Sequence, residues 1–286
     1  MNLFTFNFKN VISIFLLLLG IYSLLLMIIQ PKVIMFQNIQ QKNYSFAQEF
    51  IYGNKAPNII VGSSMAARMK NEFLSEDFVN LSFAGGSVLT GLQTIKKSGF
   101  IPKTIYIEEN IIFRDKDQKL IDAVFYPLWW KVKKYIFVLQ EKYQPLNIII
   151  SKLKGSYGKS HEEYMKEIRN EHIYKMNLMI HKKNLIMPFI LDQSKLDNLK
   201  SLINYFEENG TLVFFFEMPI AKELENSAQL KRQRDIIKNN FENEWLEIPK
   251  LNKYMTEDGI HLMYKSAYTF SFTFQERAES LLEEIK

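Results

Sequence analysis

Two stretches far apart in the chain carry side chains that could share one piece of chemistry. The first is Asn58-Ile59-Ile60-Val61-Gly62-Ser63-Ser64-Met65-Ala66-Ala67-Arg68, and the second is Thr256-Glu257-Asp258-Gly259-Ile260-His261-Leu262. A serine hydroxyl becomes a nucleophile when an imidazole takes its proton and a carboxylate holds that imidazole in the right tautomer. Asp258 and His261 are three residues apart. At that spacing a turn can press the carboxylate against one ring nitrogen and leave the other facing outward. Ser64 is the candidate nucleophile, with Ser63 its near rival. Gly-Ser-Ser and Asp-x-x-His each occur in ordinary turns and solvated loops, so the chemistry depends on what else the chain brings to the same place.

The elements that would bring these groups together read as alternating strands and helices. Asn58–Val61 carries three β-branched residues in a row and is closed by Gly62, which suits a buried strand, a sharp turn and the start of a helix. Residues 78–83, 103–108 and 211–217 read as three more strands. Residues 195–208 form an amphipathic helix with Leu196, Leu199, Leu202 and Ile203 on one face, and residues 221–240 and 264–285 form two further helices. Such alternation predicts an α/β fold, a parallel sheet with helices on both faces. In open sheets of this kind ligands bind at the carboxyl ends of the strands. Residues 111–187 break the pattern and read as a mostly helical insertion.

Two more strand ends carry candidate oxyanion donors. Asn80-Leu81-Ser82-Phe83-Ala84-Gly85-Gly86-Ser87 ends a strand in two glycines, where backbone N–H groups can approach a ligand closely. Glu108-Glu109-Asn110 ends the next strand and places a side-chain amide on the same edge. Glu217 ends the fourth strand and is a candidate for lining the same pocket, or a simple strand terminus. Arg68 is a candidate for binding an anionic substrate, or a solvated capping residue. Trp129 and Trp130 could stack on sugar rings, sit at a membrane interface or anchor the insertion to the core. His161, His172 and His181 show no metal-ligand spacing and read as surface residues.

Bulk composition narrows the classes. The chain has 286 residues, enough for a full core, and a hydrophobic content of 47% that is typical of globular proteins. A net charge of +5 spread along the chain gives no basic stripe for nucleic acid. With no cysteine, disulfides, thiolate metal sites and a cysteine nucleophile are excluded. Residues 11–29 form an uncharged run close to the length that crosses a hydrocarbon core of roughly 30 Å. No small-x-small cleavage site follows it at Gln30-Pro31-Lys32-Val33, so residues 1–32 read as an uncleaved single-pass anchor. The charge flanks are nearly balanced and do not fix the orientation. Residues 33–57 are then a linker or short helix, and 58–286 the α/β domain.

The order of these blocks, Gly-x-Ser, glycine, asparagine and a late Asp-x-x-His, resembles the SGNH (GDSL-type) hydrolase superfamily over residues 58–110 and about 194–286. The resemblance implies a flavodoxin-like α/β/α sandwich, acyl hydrolysis or transfer on oxygen esters, and no metal or organic cofactor. It maps the nucleophile to Ser64, the base to His261 and the orienting acid to Asp258. It maps the oxyanion hole to Ser64, Gly85 and Asn110, with Gly86 beside the substrate. Two positions depart from the family pattern. The aspartate usually found before the nucleophile is Ser63, and Gly-x-Asn-Asp appears as Glu108-Glu109-Asn110-Ile111. These departures resemble divergent membrane-anchored members that handle acyl groups on bacterial envelope polysaccharides. The expected partners are an acylated glycan or other O-ester and, for a transferase, a membrane protein that delivers acyl groups. The domain is expected outside the cytoplasm. The alternative is an inactive descendant that binds glycan or scaffolds a polysaccharide-modifying complex.

Overall fold

The computed structural model describes residues 8–31, 38–53, 55–154, 160–187, 189–249 and 254–285. In chain order the elements are α1 (Phe8–Ile29), α2 (Ile39–Tyr52), β1 (Asn58–Val61), β2 (Phe78–Asn80), α3 (Val88–Ser98), β3 (Thr104–Glu108), α4 (Gln118–Val124), α5 (Trp129–Tyr135), α6 (Pro145–Lys154), α7 (His161–Met165), α8 (Glu171–Ile186), α9 (Gln193–Glu208), β4 (Leu212–Phe216), α10 (Lys222–Glu225), α11 (Ala228–Asn240) and α12 (Tyr264–Glu284). The four strands form one parallel sheet in the order β2-β1-β3-β4. This is the start of the doubly wound order in which ligands bind beyond the carboxyl ends of the strands where the winding reverses.

The period-2 alternation of strand side chains builds two core layers. Ile59, Val61, Ile105, Ile107, Val213 and Phe215 face one layer, closed by α2, α3, α9 and part of α11. Ile60, Tyr106, Phe214 and Phe216 face the other, closed mainly by α12. All four residues of β1 and all five of β3 are buried, so both are central strands covered on both faces.

Several elements differ in detail from the sequence reading or sharpen it. No α-helix follows the Ser63–Ser64 turn; ahead of a second 3-10 turn at Asn71–Phe73, the chain makes a 3-10 turn at Ala66–Arg68. Asn80 stops it, because its side-chain amide donates to the carbonyls of Ala66 (2.7 Å) and Met69 (2.6 Å). The expected second strand ends at Asn80 rather than at residue 83. The long helix expected over 221–240 is two helices, α10 and α11, with Ser227 capping the second through the Leu230 N–H. The stretch read as a linker or short helix carries α2, capped by Asn38, with Ala47, Phe50 and Ile51 in the core; residues 32–37 and 54 lie outside the described residues. A segment not expected as strand, around Trp245, pairs in parallel with Phe215 and extends the sheet edge.

The described part of the insertion is mostly helical, carrying α4 to α8. It rejoins the domain where Tyr174 and Leu178 of α8 pack against Ala221 and Leu224. α1 is the one helix among the described residues with the length and hydropathy to cross a membrane.

Candidate active site

The turn after β1 depends on Gly62. A Cβ there would lie 2.5 Å from Glu108 Oε2 and 2.6 Å from the Ala66 Cβ, so only glycine lets the turn close on the end of β3. The turn sends its two serines in opposite directions. Ser63 is fully buried, its hydroxyl 2.9 Å from both oxygens of Glu108 and its N–H donating to Oε2 at 2.7 Å. Its Oγ also accepts the Met65 N–H at 3.1 Å. A hydroxyl held in this way belongs to the scaffold. Ser64 is half-buried, and its Oγ lies 2.9 Å from His261 Nε2.

His261 Nδ1 lies 2.7 Å from Asp258 Oδ2. An ionised carboxylate only accepts hydrogen bonds, so Nδ1 bears the ring hydrogen and Nε2 is the acceptor that faces Ser64. Burial works to raise the Asp258 carboxyl, but hydrogen bonds from the His261 ring, its N–H and the Ile260 N–H outweigh burial and hold it well below the usual carboxylate range. The group therefore stays ionised through the neutral range and keeps the imidazole oriented.

The loop that carries this pair is a tight hairpin. Thr256 pairs with Leu262, and the Glu257 N–H donates to the His261 carbonyl at 2.7 Å. Gly259 sits at its tip with φ +105°, a conformation that side-chain-bearing residues rarely adopt, and its carbonyl accepts the Ala221 N–H at 2.8 Å. Asp258 and His261 are thus pinned to the body of the domain.

Asn80 ties this loop system together. Besides stopping the turn after Ser64, its Oδ1 accepts the Ser82 N–H at 3.0 Å, which sets the course of the chain into Gly85. Gly85 is exposed at φ +70°, and neither its N–H nor that of Ser64 makes a hydrogen bond among the described residues. Those two amides are the donors left for an oxyanion. Gly86, expected beside the substrate, is buried with its N–H bonded to the Phe83 carbonyl, and it serves the turn instead.

Asn110 differs from expectation in its bonding. Its Nδ2 donates to the Met218 carbonyl at 3.1 Å and its Oδ1 accepts the Met218 N–H at 2.7 Å. One N–H of the amide expected as an oxyanion donor clamps the ends of β3 and β4 together, and its second N–H makes no hydrogen bond among the described residues. Asn110→Ala is expected to lower stability by about 1–3 kcal/mol, because it leaves a buried N–H and carbonyl unpaired. Its effect on kcat should fall short of the roughly hundred- to thousand-fold loss that removing an oxyanion donor brings. A melting curve run beside kinetics on the same variant separates the two roles.

Glu217 also leaves the expected place. It pairs with Arg234, which lies 3.5 Å from Glu109 as well. With Asn110, Met218 and Trp245 these residues line a cavity of about 450 Å³ that Ser64, Asp258 and His261 do not line. Burial, then the Glu217 carboxylate, pushes the Glu109 carboxyl up against the pull of Arg234. Arg68 forms an exposed ion pair with Glu257 at 3.0 Å. Trp130 packs edge-on to Phe125 against the core, while Trp129 is exposed on α5; neither has a hydrogen bond or ring contact with the triad among the described residues. His172 is exposed. His161 is exposed but bonds the Tyr264 hydroxyl at 2.8 Å. No cluster of three or more metal-ligating side chains forms among the described residues.

Three residues matter more here than their sequence context suggests. Glu108 is a carboxylate at the end of an otherwise apolar strand, a signal that was visible but had no partner to explain it. Asn80 looks like an ordinary strand end. His181, read as a surface residue, is half-buried and near Asp258 and His261; burial lowers its pKa, Asp258 opposes that, and His261 adds to the lowering. Lying in a helical insertion, it left no trace in the sequence.

No family model matches the sequence, and no curated protein matches it. Among solved structures the chain is similar to TesA, at 11% identity over 78% of this chain and 98% of that one, with a TM-score of 0.36. It is similar to a GDSL-like lipase from Bacteroides thetaiotaomicron at 10% identity, covering 84% and 99% of the two chains with a TM-score of 0.38. It is also similar to an acylhydrolase, so described provisionally, from Bacteroides fragilis at 11% identity, covering 86% and 97% with a TM-score of 0.38.

Proposed function

We propose that this chain is a membrane-anchored serine esterase or O-acyltransferase of the SGNH type, acting on O-acyl groups, O-acetyl above all, of cell-envelope polysaccharide outside the cytoplasm. The observation that carries the reading is the continuous relay Ser64 Oγ–His261 Nε2 and His261 Nδ1–Asp258, at 2.9 and 2.7 Å. An envelope scaffold that only bound glycan would have no use for that alignment.

In the first half-reaction Ser64 Oγ bonds to the acyl carbonyl carbon while His261 Nε2 takes its proton. Asp258 stabilises the imidazolium without itself becoming protonated. The Ser64 and Gly85 N–H groups hold the tetrahedral oxyanion. Collapse breaks the ester bond, His261 returns the proton to the departing alkoxide, and an acyl-Ser64 remains. In the second half-reaction His261 deprotonates water or a sugar hydroxyl, which takes the acyl group and restores Ser64. Hydrolase and transferase differ only in the acceptor. The transferase needs a membrane partner that delivers acyl groups, because activated donors such as acyl-CoA are cytoplasmic.

A fluorophosphonate probe tests the reading. The folded protein should take one covalent label, and Ser64→Ala should take none. A folded wild-type protein that stays unlabelled would overturn the catalytic claim. Acetate release from a panel of O-acetylated glycans, beside an acyl-transfer assay with a sugar acceptor, then separates the two reactions.

A further inference from the structure

We infer that α6, on the insertion, lies in the headgroup region of the bilayer that α1 crosses, with Leu146, Ile149 and Leu153 against lipid. The inference rests on the anchor reading above. α6 turns much of its apolar surface outward, although Ile148 and Ile150 are half-buried and Lys152 is exposed among the outer residues. Asn147 and Ser151, four residues apart, are buried, whereas Leu146, Ile149 and Leu153 are 62, 56 and 70% exposed. A helix on a water-facing surface shows the opposite arrangement. The inner face is not misplaced, since Asn147 Nδ2 donates to the Glu141 carbonyl at 2.8 Å. The outer face is apolar because something apolar covers it.

Helix α1 says what that is. Its residues Leu19, Tyr22, Ser23 and Leu26 form one stripe, the only part of α1 covered by the rest of the described chain. Tyr22 donates its hydroxyl to the carbonyl of Tyr143, two residues before α6 begins. Tyr22 sits seven residues before the end of α1. At 1.5 Å per residue that is about 10 Å below the helix end. The part of α1 before the stripe, residues 8–18, is only about 16 Å long on the same rise, half of a hydrocarbon core of roughly 30 Å. If α1 crosses the bilayer, the covered stripe must be inside it, and the segment packed on that stripe is drawn to the same depth. Interfacial amphipathic helices sit about 5–10 Å into that boundary. Earlier in the insertion, α5 exposes Trp129 and Tyr135 together with Lys131 and Lys134, the aromatic and basic pairing favoured at a bilayer surface. The domain would thus be seated on the membrane at a fixed height rather than tethered above it.

The absence of cysteine makes the test clean. Ile149→Cys in the full chain, labelled with NBD and reconstituted into phosphatidylcholine–phosphatidylglycerol vesicles, should show blue-shifted emission that spin-labelled lipid quenches. The control Glu276→Cys, on exposed α12 surface across the sheet, should show neither. Leu146→Glu combined with Leu153→Glu should reverse the shift at position 149 while the protein still floats with the vesicles. Flotation with a water-like, unquenched signal at Ile149→Cys would overturn the α6 contact and leave the anchor standing; a face reserved for a protein partner would give this result. Loss of flotation would overturn the anchor and the contact together. Probe labelling at Ser64 reads the catalytic proposal separately in each case.

Discussion

Ser64→Ala is expected to lower turnover of an acyl ester by about ten-thousand- to a million-fold while leaving the melting temperature nearly unchanged. The size follows from the geometry. Ser64 Oγ has one strong partner, His261 Nε2, and stands at a half-buried rim, so its removal deletes the nucleophile without opening a cavity. His261→Ala should cost a similar factor, and the double variant little more than either single one, because the two groups act as a unit. Ser63→Ala should behave in the opposite way. It removes a buried hydroxyl that bonds Glu108 and accepts the Met65 N–H, so stability should fall by about 1–3 kcal/mol while covalent labelling of Ser64 persists. Parallel melts and probe labelling of the four variants check this. A labelled, active Ser64→Ala protein would mean that Ser63 or another group is the nucleophile.

The parts of this arrangement that were legible in the sequence are those governed by local rules. Strands buried on both faces announce themselves as apolar runs, so β1, β3 and β4 fall within a residue or so of their expected limits. The Asp258–His261 spacing has one compact solution, a turn, and Gly259 at φ +105° provides it. What could not be read were partnerships between distant residues. Nothing local tells Asn110 that Met218 will lie opposite, and the amide looks equally suited to an oxyanion and to a backbone clamp. Glu217 sits at a strand end like the site residues, but on the outer strand β4, where its partner is Arg234 from α11. The amphipathic pattern of α2 was too weak to distinguish a linker from a core helix until Ala47, Phe50 and Ile51 were seen against the sheet.

The two departures from the family pattern prove to be neighbours, and that yields a second large expected effect. Where the resemblance calls for an aspartate, residue 63 is serine, and where it calls for a glycine, residue 108 is glutamate. In the fold the Glu108 carboxylate, with no solvent exposure, takes the Ser63 hydroxyl, the Ser63 N–H and the Ala66 N–H at 3.2 Å. Burial holds this carboxyl above its ordinary value, only partly offset by the Ser63 and Ala66 donors and Arg114. The acid that braces the Ser63–Ser64 turn thus stands on the adjacent strand, where the resemblance calls for a glycine. Glu108→Ala should destabilise the protein by roughly 2–5 kcal/mol, since it leaves two N–H groups and a hydroxyl unpaired in a fully buried place. Any surviving fold should lose on the order of a hundred-fold in kcat from misplacement of Ser64. Ser63→Asp alone should be worse than neutral, because it sets two carboxylates against each other in one buried site. Ser63→Asp combined with Glu108→Gly moves the single carboxylate across the gap and removes the side chain that crowds Gly62. The double variant should recover much of the stability and kcat lost in each single one, a coupling visible in a double-mutant cycle of melts and probe-labelling rates. If the two losses simply add, positions 63 and 108 do not share one structural role.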